Sequence, residues 1–169
     1  MTTFTERYVS LLAIIFVLGS CSAQKQSQQA ERMALGEVGR SVIESPQYPW
    51  FDTTYGSYRP TADMLEDMNT QLDSVRFVVV FGTWCSDSRR EVPRFFKLMD
   101  LLGFPQDRIT LYGVDRSLHS PPGIPQQFTI TKVPTIIVLR NGAEAGRIVE
   151  APKTTLEFDL MEILVTVRH

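Results

Sequence analysis

Cys85 is the residue of this sequence with the clearest capacity for chemistry. It lies in the segment Trp-Cys-Ser-Asp-Ser (residues 84–88), after a run of apolar β-formers and before an amphipathic run. A cysteine at such a strand-to-helix junction is expected at a helix N-terminus, where unpaired backbone N–H groups and the helix dipole favour the thiolate. We therefore expect Cys85 to be a nucleophile, the alternative being a buried cysteine that acts only as a small apolar residue.

Ser88 lies one helical turn after Cys85. Its hydroxyl is in range to donate a hydrogen bond to the thiolate, and an equally good interpretation gives it no role. Asp87 is expected to be a solvated residue that complements the helix dipole, the alternatives being that it opposes the thiolate or acts as a base on the thiol. The Arg-Arg-Glu segment (residues 89–91) is expected on an exposed helix face. In a less favoured interpretation, an arginine there assists anionic substrates such as glutathione adducts.

The composition limits the classes of protein to which this chain can belong. Its 169 residues, 43% of them hydrophobic and 10% aromatic, predict one globular domain with accessory segments. The net charge of -2 predicts no large basic field, so nucleic acid is not expected as a partner. The two cysteines cannot form a disulfide framework, and no cluster of Cys and His has zinc spacing. We therefore predict no metal and no cofactor.

The first 20 residues predict a targeting signal rather than a folded element. The apolar run at residues 11–18 is too short to span a bilayer, which takes about 20 residues, and it suits the core of a secretory signal. The run ends in Leu-Gly-Ser-Cys (residues 18–21), which resembles the lipobox of bacterial lipoproteins. That resemblance implies cleavage before Cys21 and lipidation of this residue, whereas ordinary signal cleavage after Ala23 is the alternative.

Residues 21–47 are predicted to be the lipid-bearing cysteine and a flexible tether, because residues 22–29 are polar and lack hydrophobic periodicity. A short helix within residues 30–47 is the open alternative for that part, but its apolar positions are too sparse to place it. The protein is therefore expected in the bacterial cell envelope, lipid-anchored and facing the periplasm, on either the inner or the outer membrane. The domain itself is predicted to cover residues 48–169. Aromatic residues at its start are expected to pack on the domain edge, a ligand-binding role being less favoured: Tyr48, Trp50, Phe51, Tyr55 and Tyr58.

Hydrophobic periodicity predicts an alternation of helices and strands along the domain. The continuous apolar run at residues 77–81 is typical of a strand buried on both faces. The helix that begins at Cys85 is expected to kink at Pro93 and to stop at Gly103. The other predicted elements are a helix with its apolar face at Leu65, Met68, Leu72 and Val75, a strand at 109–114, a Pro-rich loop at 117–125, a short helix at 126–129, strands at 135–139 and 147–150 joined by Asn141-Gly142, a capping box of Thr154 with Glu157, and a last helix that reaches Val167. The predicted fold class is therefore α/β, with a mixed central β-sheet flanked by helices on both faces.

Four local features, in this order, make residues 60–168 resemble the thioredoxin family. They are the Trp-Cys-Ser-Asp-Ser segment at its strand-to-helix junction, Pro93 eight residues after Cys85, Val133-Pro134-Thr135 before the third strand, and the Asn141-Gly142 hairpin. The resemblance implies a thioredoxin-like fold. The Trp-Cys-x-Asp-Ser version of the motif looks like a single-cysteine subgroup of bacterial envelope thioredoxin-like proteins.

The resemblance also implies a groove for substrate beside the cysteine. Pro134 is expected to be cis and to lie against Cys85, with the backbone of Val133 free to pair with an extended peptide. Trp84 is the expected second wall of this groove, although a purely packing role for its ring is about as well supported.

Two departures from the family pattern narrow the chemistry. Ser88 occupies the place of the second, resolving cysteine, and Val79 occupies the place of a buried proton-relaying aspartate. The chain therefore cannot cycle through an intramolecular disulfide. The leading hypothesis is an oxidoreductase or isomerase that forms mixed disulfides through Cys85 with protein thiols and disulfides or low-molecular-weight thiols. A non-catalytic binding or scaffold module and a one-cysteine thiol peroxidase are the alternatives.

Overall fold

The computed structural model describes residues 33–120 and 128–166. In that part of the chain the strands are β1 (Gly36–Glu37), β2 (Val75–Phe81), β3 (Ile109–Gly113), β4 (Thr135–Arg140) and β5 (Ala143–Val149). The α-helices are α1 (Arg40–Ile43), α2 (Trp50–Ser57), α3 (Ala62–Asn69), α4 (Ser86–Leu101) and α5 (Leu156–Thr166), and a short 3₁₀ helix (Gln106–Arg108) precedes β3.

The strands form one mixed sheet in the order β1-β3-β2-β4-β5. β2 runs parallel to β3 and antiparallel to β4, while β1 and β5 are antiparallel to their neighbours. The end of β2, the end of β3 and the start of β4 therefore meet at the same edge of the sheet. There Phe81 lies opposite Gly113, and Val80 lies opposite Thr135. Residues that follow β2 and β3, or that precede β4, are brought together at this edge.

β2 is buried on both faces, as its continuous apolar sequence predicts. Its odd-numbered positions, among them Phe77, belong to the larger core cluster, to which each of the five described α-helices contributes. Phe77 makes edge-to-face contacts there with Phe95 and Phe104, with ring centroids 5.2 and 5.1 Å apart. The helix predicted to reach Val75 is α3, which already ends at Asn69 because Val75 is the first residue of β2.

The opposite face of β2 carries a smaller apolar cluster around Val78 and Val80. In the described part of the chain, segments outside the α-helices cover this cluster with Trp84, Cys85, Leu118, Phe128 and Ile130. Two of the four residues of the short helix predicted at 126–129 lie outside the described residues, and the other two, Phe128 and Thr129, form a turn. Cys85 therefore packs against one face of the sheet, while the buried side chains of α4 pack against the other face.

The domain includes residues 33–47, which precede the predicted boundary at residue 48. β1 pairs with β3, and the apolar side chains of Ala34 and Ile43 are buried in the larger cluster. Arg40 of α1 forms a bidentate ion pair with Asp100, and both N–O distances are 2.6 Å. The prediction of a flexible tether through residue 47 is therefore wrong for residues 33–47, which are held by the pairing of β1 with β3 and by a partly buried ion pair.

The remaining N-terminal predictions concern residues outside the described part of the chain. The signal peptide at residues 1–20, the lipidated Cys21 and the rest of the tether all lie there, as does Val167 at the other end. Among the helices that the structure describes, none is both long enough and apolar enough to cross a bilayer.

The aromatic cluster packs against the domain through α2. Phe51 is buried, and its ring lies 6.2 Å from that of Phe96 in α4. Tyr55 donates a hydrogen bond of 2.7 Å to Asp100, and the guanidinium of Arg40 lies 4.8 Å from the centre of the Phe96 ring. These residues join α1 and α2 to α4, so the cluster acts as the predicted cap on the domain edge.

The capping box predicted from Thr154 and Glu157 is wrong. The hydroxyl that accepts a hydrogen bond from the first turn of α5 belongs to Thr155, whose Oγ1 lies 3.3 Å from the Phe158 nitrogen. Glu157 is buried and accepts hydrogen bonds from a distant segment instead, from the Tyr58 hydroxyl at 2.5 Å and the Thr61 N–H at 3.0 Å. Burial alone would raise the pKa of Glu157, but these hydrogen bonds outweigh it and hold the pKa below its ordinary value.

Candidate functional site

Cys85 joins the end of β2 to the start of α4. Its backbone is extended (φ -87°, ψ 127°), as is usual for the residue that precedes a helix. The Cys85 N–H donates to the Gly82 carbonyl at 2.9 Å, and the Arg89 N–H donates to the Cys85 carbonyl at 3.0 Å. That second bond is the first one of the helix, so the amides of residues 86–88 have no carbonyl acceptor within the helix. The sulfur therefore lies beside the electropositive end of α4.

The sulfur of Cys85 is half-buried and faces the loop before β4. Its thiol donates a hydrogen bond to the Val133 carbonyl, with an Sγ–O distance of 3.2 Å. The Val133–Pro134 peptide bond is cis, and Thr135 opens β4 directly afterwards. The sheet topology thus brings Cys85 together with the two residues that sequence reasoning assigned to the groove, 48 positions further along the chain.

Ser88 does not hydrogen-bond to the sulfur among the contacts of the described residues. Its side chain is fully buried, and its Oγ accepts a hydrogen bond from the Gly82 N–H at 3.1 Å. A buried N–H without an acceptor is costly, so this bond stabilises the turn between β2 and α4. Ser88 therefore has a third role that the sequence did not suggest: it holds the turn that carries Cys85.

Trp84 is fixed by a hydrogen bond and by close packing. Its indole Nε1–H donates to the Val114 carbonyl at 3.0 Å, just after the end of β3. The ring also covers Gly82, where a Cβ atom would lie only 2.6 Å from two indole atoms. Gly82 is thus a required residue of the site that sequence reasoning missed, and the only signal was a glycine directly after a buried strand.

The face of the Trp84 ring carries a positive charge. The guanidinium carbon of Arg116 lies 5.3 Å from the ring centre, within the range of a cation–π interaction. A second arginine, Arg89, donates from Nε to the Thr83 carbonyl at 2.6 Å. The negative charge of Asp87 is paired with Arg90 at 2.8 Å. The surroundings of Cys85 are therefore more basic than the net charge of the chain suggests.

Glu91 is buried, which corrects the prediction that residues 89–91 share an exposed face. Its Oε1 accepts hydrogen bonds from Arg90 at 2.6 Å and Arg94 at 3.3 Å. Its Oε2 has no hydrogen-bond partner among the described residues. No group of three or more His, Cys, Asp or Glu side chains in the described ranges is arranged to hold a metal ion.

Comparisons with known proteins find similarity to two thioredoxins. The chain matches no model of a known protein family. It is similar to mitochondrial thioredoxin-3 from Saccharomyces cerevisiae, with 26% identity over 114 residues that cover 67% of this chain and 85% of the yeast protein. It is also similar to thioredoxin-2 from Pyricularia oryzae, with 26% identity over 123 residues, or 67% of this chain and 68% of the fungal protein. A crystal structure of Trxlp from Edwardsiella tarda matches with a TM-score of 0.38 and 24% identity, over 62% of this chain and 95% of that one.

The described domain has a thioredoxin-like fold, as the sequence predicts. Its five-stranded mixed sheet has β2 at the centre, with Cys85 between β2 and α4 and with Pro134 just before β4. The chain therefore has the thioredoxin-like fold, and its sequence is similar to two thioredoxins.

Proposed function

We propose that this protein carries out thiol–disulfide exchange through Cys85. The observation that carries the proposal is the position of the Cys85 sulfur, at the N-terminus of α4 and 3.2 Å from the Val133 carbonyl. Backbone N–H groups and the helix dipole favour negative charge on a sulfur placed there. The similarity to two thioredoxins suggests thiols and disulfides as the substrate class.

The proposed reaction exchanges one disulfide for another. The Cys85 proton passes to solvent, and the thiolate attacks one sulfur of a substrate disulfide, breaking its S–S bond. A mixed disulfide with Cys85 forms, and the other substrate sulfur leaves as a thiolate that takes up a proton. A second thiol then attacks the mixed disulfide and releases Cys85 in its original form. The protein gains and loses no electrons over the cycle.

The second thiol has to come from outside the domain. Ser88 is fully buried, tied to the Gly82 N–H, and carries no sulfur that could attack the mixed disulfide. A substrate's own free cysteine or a low-molecular-weight thiol would take this part. We therefore propose isomerase-like or de-glutathionylating exchange rather than net dithiol reduction of substrates.

Substrate is proposed to bind across the sulfur in an extended conformation. The Val133 carbonyl lies before the first ladder position of β4, and Thr135 is the first residue with strand partners on both sides. Backbone that lies directly before the first residue of a strand can form hydrogen bonds with an added peptide strand. The Trp84 ring, held by its bond to the Val114 carbonyl, would form the other side of this groove.

Mixed-disulfide formation tests the proposed reaction. A full-length Cys21→Ser protein leaves Cys85 as the sole thiol, since the chain has two cysteines. Incubated with glutathione disulfide, it should gain one glutathione by intact mass, and added dithiothreitol should remove it. The matched Cys21→Ser, Cys85→Ser protein should gain none. If the protein with Cys85 also stays unmodified, thiol–disulfide exchange is not its function.

We further propose that the protein works in the bacterial cell envelope, attached through a lipid on Cys21. Support comes from the lipobox-like sequence at residues 18–21. Expressed in a bacterial host with radiolabelled palmitate, the wild-type chain should carry label and sediment with membranes. The Cys21→Ala chain should carry none. A wild-type chain that is cleaved but unlabelled would contradict the lipid anchor.

A non-catalytic binding module is the second candidate. The observation that favours it is the hydrogen bond from the Cys85 thiol to the Val133 carbonyl, because this bond is made by the protonated sulfur and is lost when the sulfur ionises. In that case Cys85 would only help to position the groove. Cys85→Ser, which keeps a donor at this place, would then bind partners as well as the wild type does, and no covalent adduct would form with either protein.

A further inference from the structure

The Trp84 ring carries a cation beside the reactive sulfur. The guanidinium carbon of Arg116 lies 5.3 Å from the centre of the ring, and Trp84 is the residue directly before Cys85. Both Trp84 and Cys85 pack against the same apolar cluster on one face of the sheet. Arg116 is exposed, and no carboxylate among the described residues forms an ion pair with it. Its charge is therefore available to a substrate.

The position of this charge is determined by the packing below it. The Trp84 indole already lies against the Gly82 backbone, so closely that a Cβ atom at Gly82 would not fit, and it cannot move further in that direction. Its Nε1–H also donates a hydrogen bond to the Val114 carbonyl. Arg116 follows Val114 by two residues, so the same stretch of chain fixes the ring and supplies the cation. A cation over a fixed aromatic face loses less conformational freedom when it engages an anion than one on a free side chain.

The nearby carboxylates are engaged elsewhere. Asp87 is paired with Arg90 at 2.8 Å. Asp115, next to Arg116 in the chain, accepts hydrogen bonds from the N–H groups of Ser117 and His119, both at 2.8 Å to Oδ1. Each acid therefore has partners of its own. Neither Arg89 nor Arg116 forms an ion pair among the described residues, but Arg89 donates to the Thr83 carbonyl, and Arg116 is the cation that lies over the Trp84 ring.

We propose that Arg116 is a specificity-determining residue, and that it favours disulfides carrying a carboxylate near the reacting sulfur. This inference rests on the proposed exchange reaction at Cys85. Arg116 would attract the anionic group of the incoming disulfide while the apolar ring of Trp84 contacts its methylene groups. Exposed charges change association rates in a salt-dependent way, so the preference should weaken as ionic strength rises.

Three disulfides of different charge test this inference on the full-length Cys21→Ser protein. They are glutathione disulfide, which is anionic, hydroxyethyl disulfide, which is neutral, and cystamine, which is cationic. For each disulfide, the second-order rate constant of the Arg116→Gln protein is divided by that of the protein with Arg116. Because both proteins react with the same disulfide, the effect of its leaving group cancels in this ratio. We expect a loss of about two- to fivefold with glutathione disulfide, no change with hydroxyethyl disulfide and a small gain with cystamine.

Two further variants serve as controls. Arg116→Lys keeps the charge and should retain most of the rate with glutathione disulfide. Arg76→Gln removes an exposed arginine near the start of β2, which lies roughly 20 Å from Cys85 by the rise of the strand, and should leave all three rates unchanged.

The outcomes separate the inference from the proposed function. An equal loss with all three disulfides would assign Arg116 a structural role and overturn the inference, as would an unchanged rate with glutathione disulfide. In both cases the exchange reaction itself stands. If the protein reacts with none of the three, exchange at Cys85 is wrong, and the inference is wrong with it.

Discussion

Replacing Gly82 by alanine tests whether the indole of Trp84 is held against the backbone at the end of β2. The added methyl group would lie 2.6 Å from Cε2 and Nε1 of the ring, whereas ordinary van der Waals contact begins at 3.4 Å. The ring must therefore retreat by about 1 Å. This movement stretches or breaks the 3.0 Å hydrogen bond from Nε1 to the Val114 carbonyl.

The expected cost follows from these two effects. Forcing a methyl group into a packed site costs about 1–3 kcal/mol, and losing a neutral hydrogen bond costs about 1 kcal/mol. We therefore expect Gly82→Ala to lower the free energy of unfolding by about 2–4 kcal/mol. Because Arg116 stacks on the same ring, the variant should also lose the preference for anionic disulfides proposed above.

Urea titration followed by circular dichroism measures the change, and the slope of the transition shows whether it stays two-state. Gly56→Ala is the matched control, since Gly56 lies within α2 and a Cβ there would meet no atom within 4 Å. That change should be neutral or stabilise the protein by up to about 1 kcal/mol. The packing argument is refuted if Gly82→Ala unfolds within about 0.5 kcal/mol of the wild type.

Further substitutions test the buried polar groups. Ser88→Ala removes the acceptor of the Gly82 N–H and should cost about 1–3 kcal/mol in urea titrations; no loss would mean that this bond adds nothing. Ser88→Cys, one turn from Cys85, should form a disulfide under oxidation, measured as loss of free thiols, and persistence of both thiols would contradict that geometry. Because the pKa of Glu157 lies below its ordinary value, its stabilisation holds at neutral pH and is lost as the pH falls through the folded-state pKa. Glu157→Gln should cost about 1–2 kcal/mol at pH 7 and flatten this acid dependence, whereas an unchanged dependence would contradict it.

Much of the fold could be predicted because its signals are local. The run at residues 77–81 is apolar without alternation, and the structure buries β2 on both faces. The Asn141-Gly142 pair predicted the β4–β5 hairpin, and both residues have positive φ, 52° and 82°. The thioredoxin-like fold followed from such elements in order.

Among the elements that were missed or left without a position, β1 and α1 have almost no local signal. β1 has two residues and α1 has four, which are too few to show the hydrophobic periodicity of a strand or of a helix. What holds them is distant in sequence: β1 pairs with β3, and Arg40 binds Asp100, 60 positions away. The same cause explains the failed capping box, since Glu157 faces Tyr58, 99 positions earlier.

The candidate site likewise contains residues that a local motif predicted and residues whose roles depend on distant parts of the chain. The segment around Cys85 and the Val133-Pro134 pair were identified by motif, and the structure places them 3.2 Å apart. The roles of Gly82 and Arg116 depend on where the Trp84 ring lies, and that is decided by the Val114 carbonyl at the end of another strand. Ser88 was weighed as a partner of the thiolate or as a residue without a role, because its hydrogen bond to the Gly82 N–H cannot be inferred from spacing.

The reactivity of Cys85 towards iodoacetamide at pH 7 tests the central claim most directly. The full-length Cys21→Ser protein is measured folded and again in urea, so that the same thiol serves as its own reference. If the N-terminus of α4 favours the thiolate and the half-buried sulfur is reachable, the folded protein reacts faster. A folded protein that reacts more slowly than the unfolded chain would show a shielded, protonated sulfur and contradict exchange at this site.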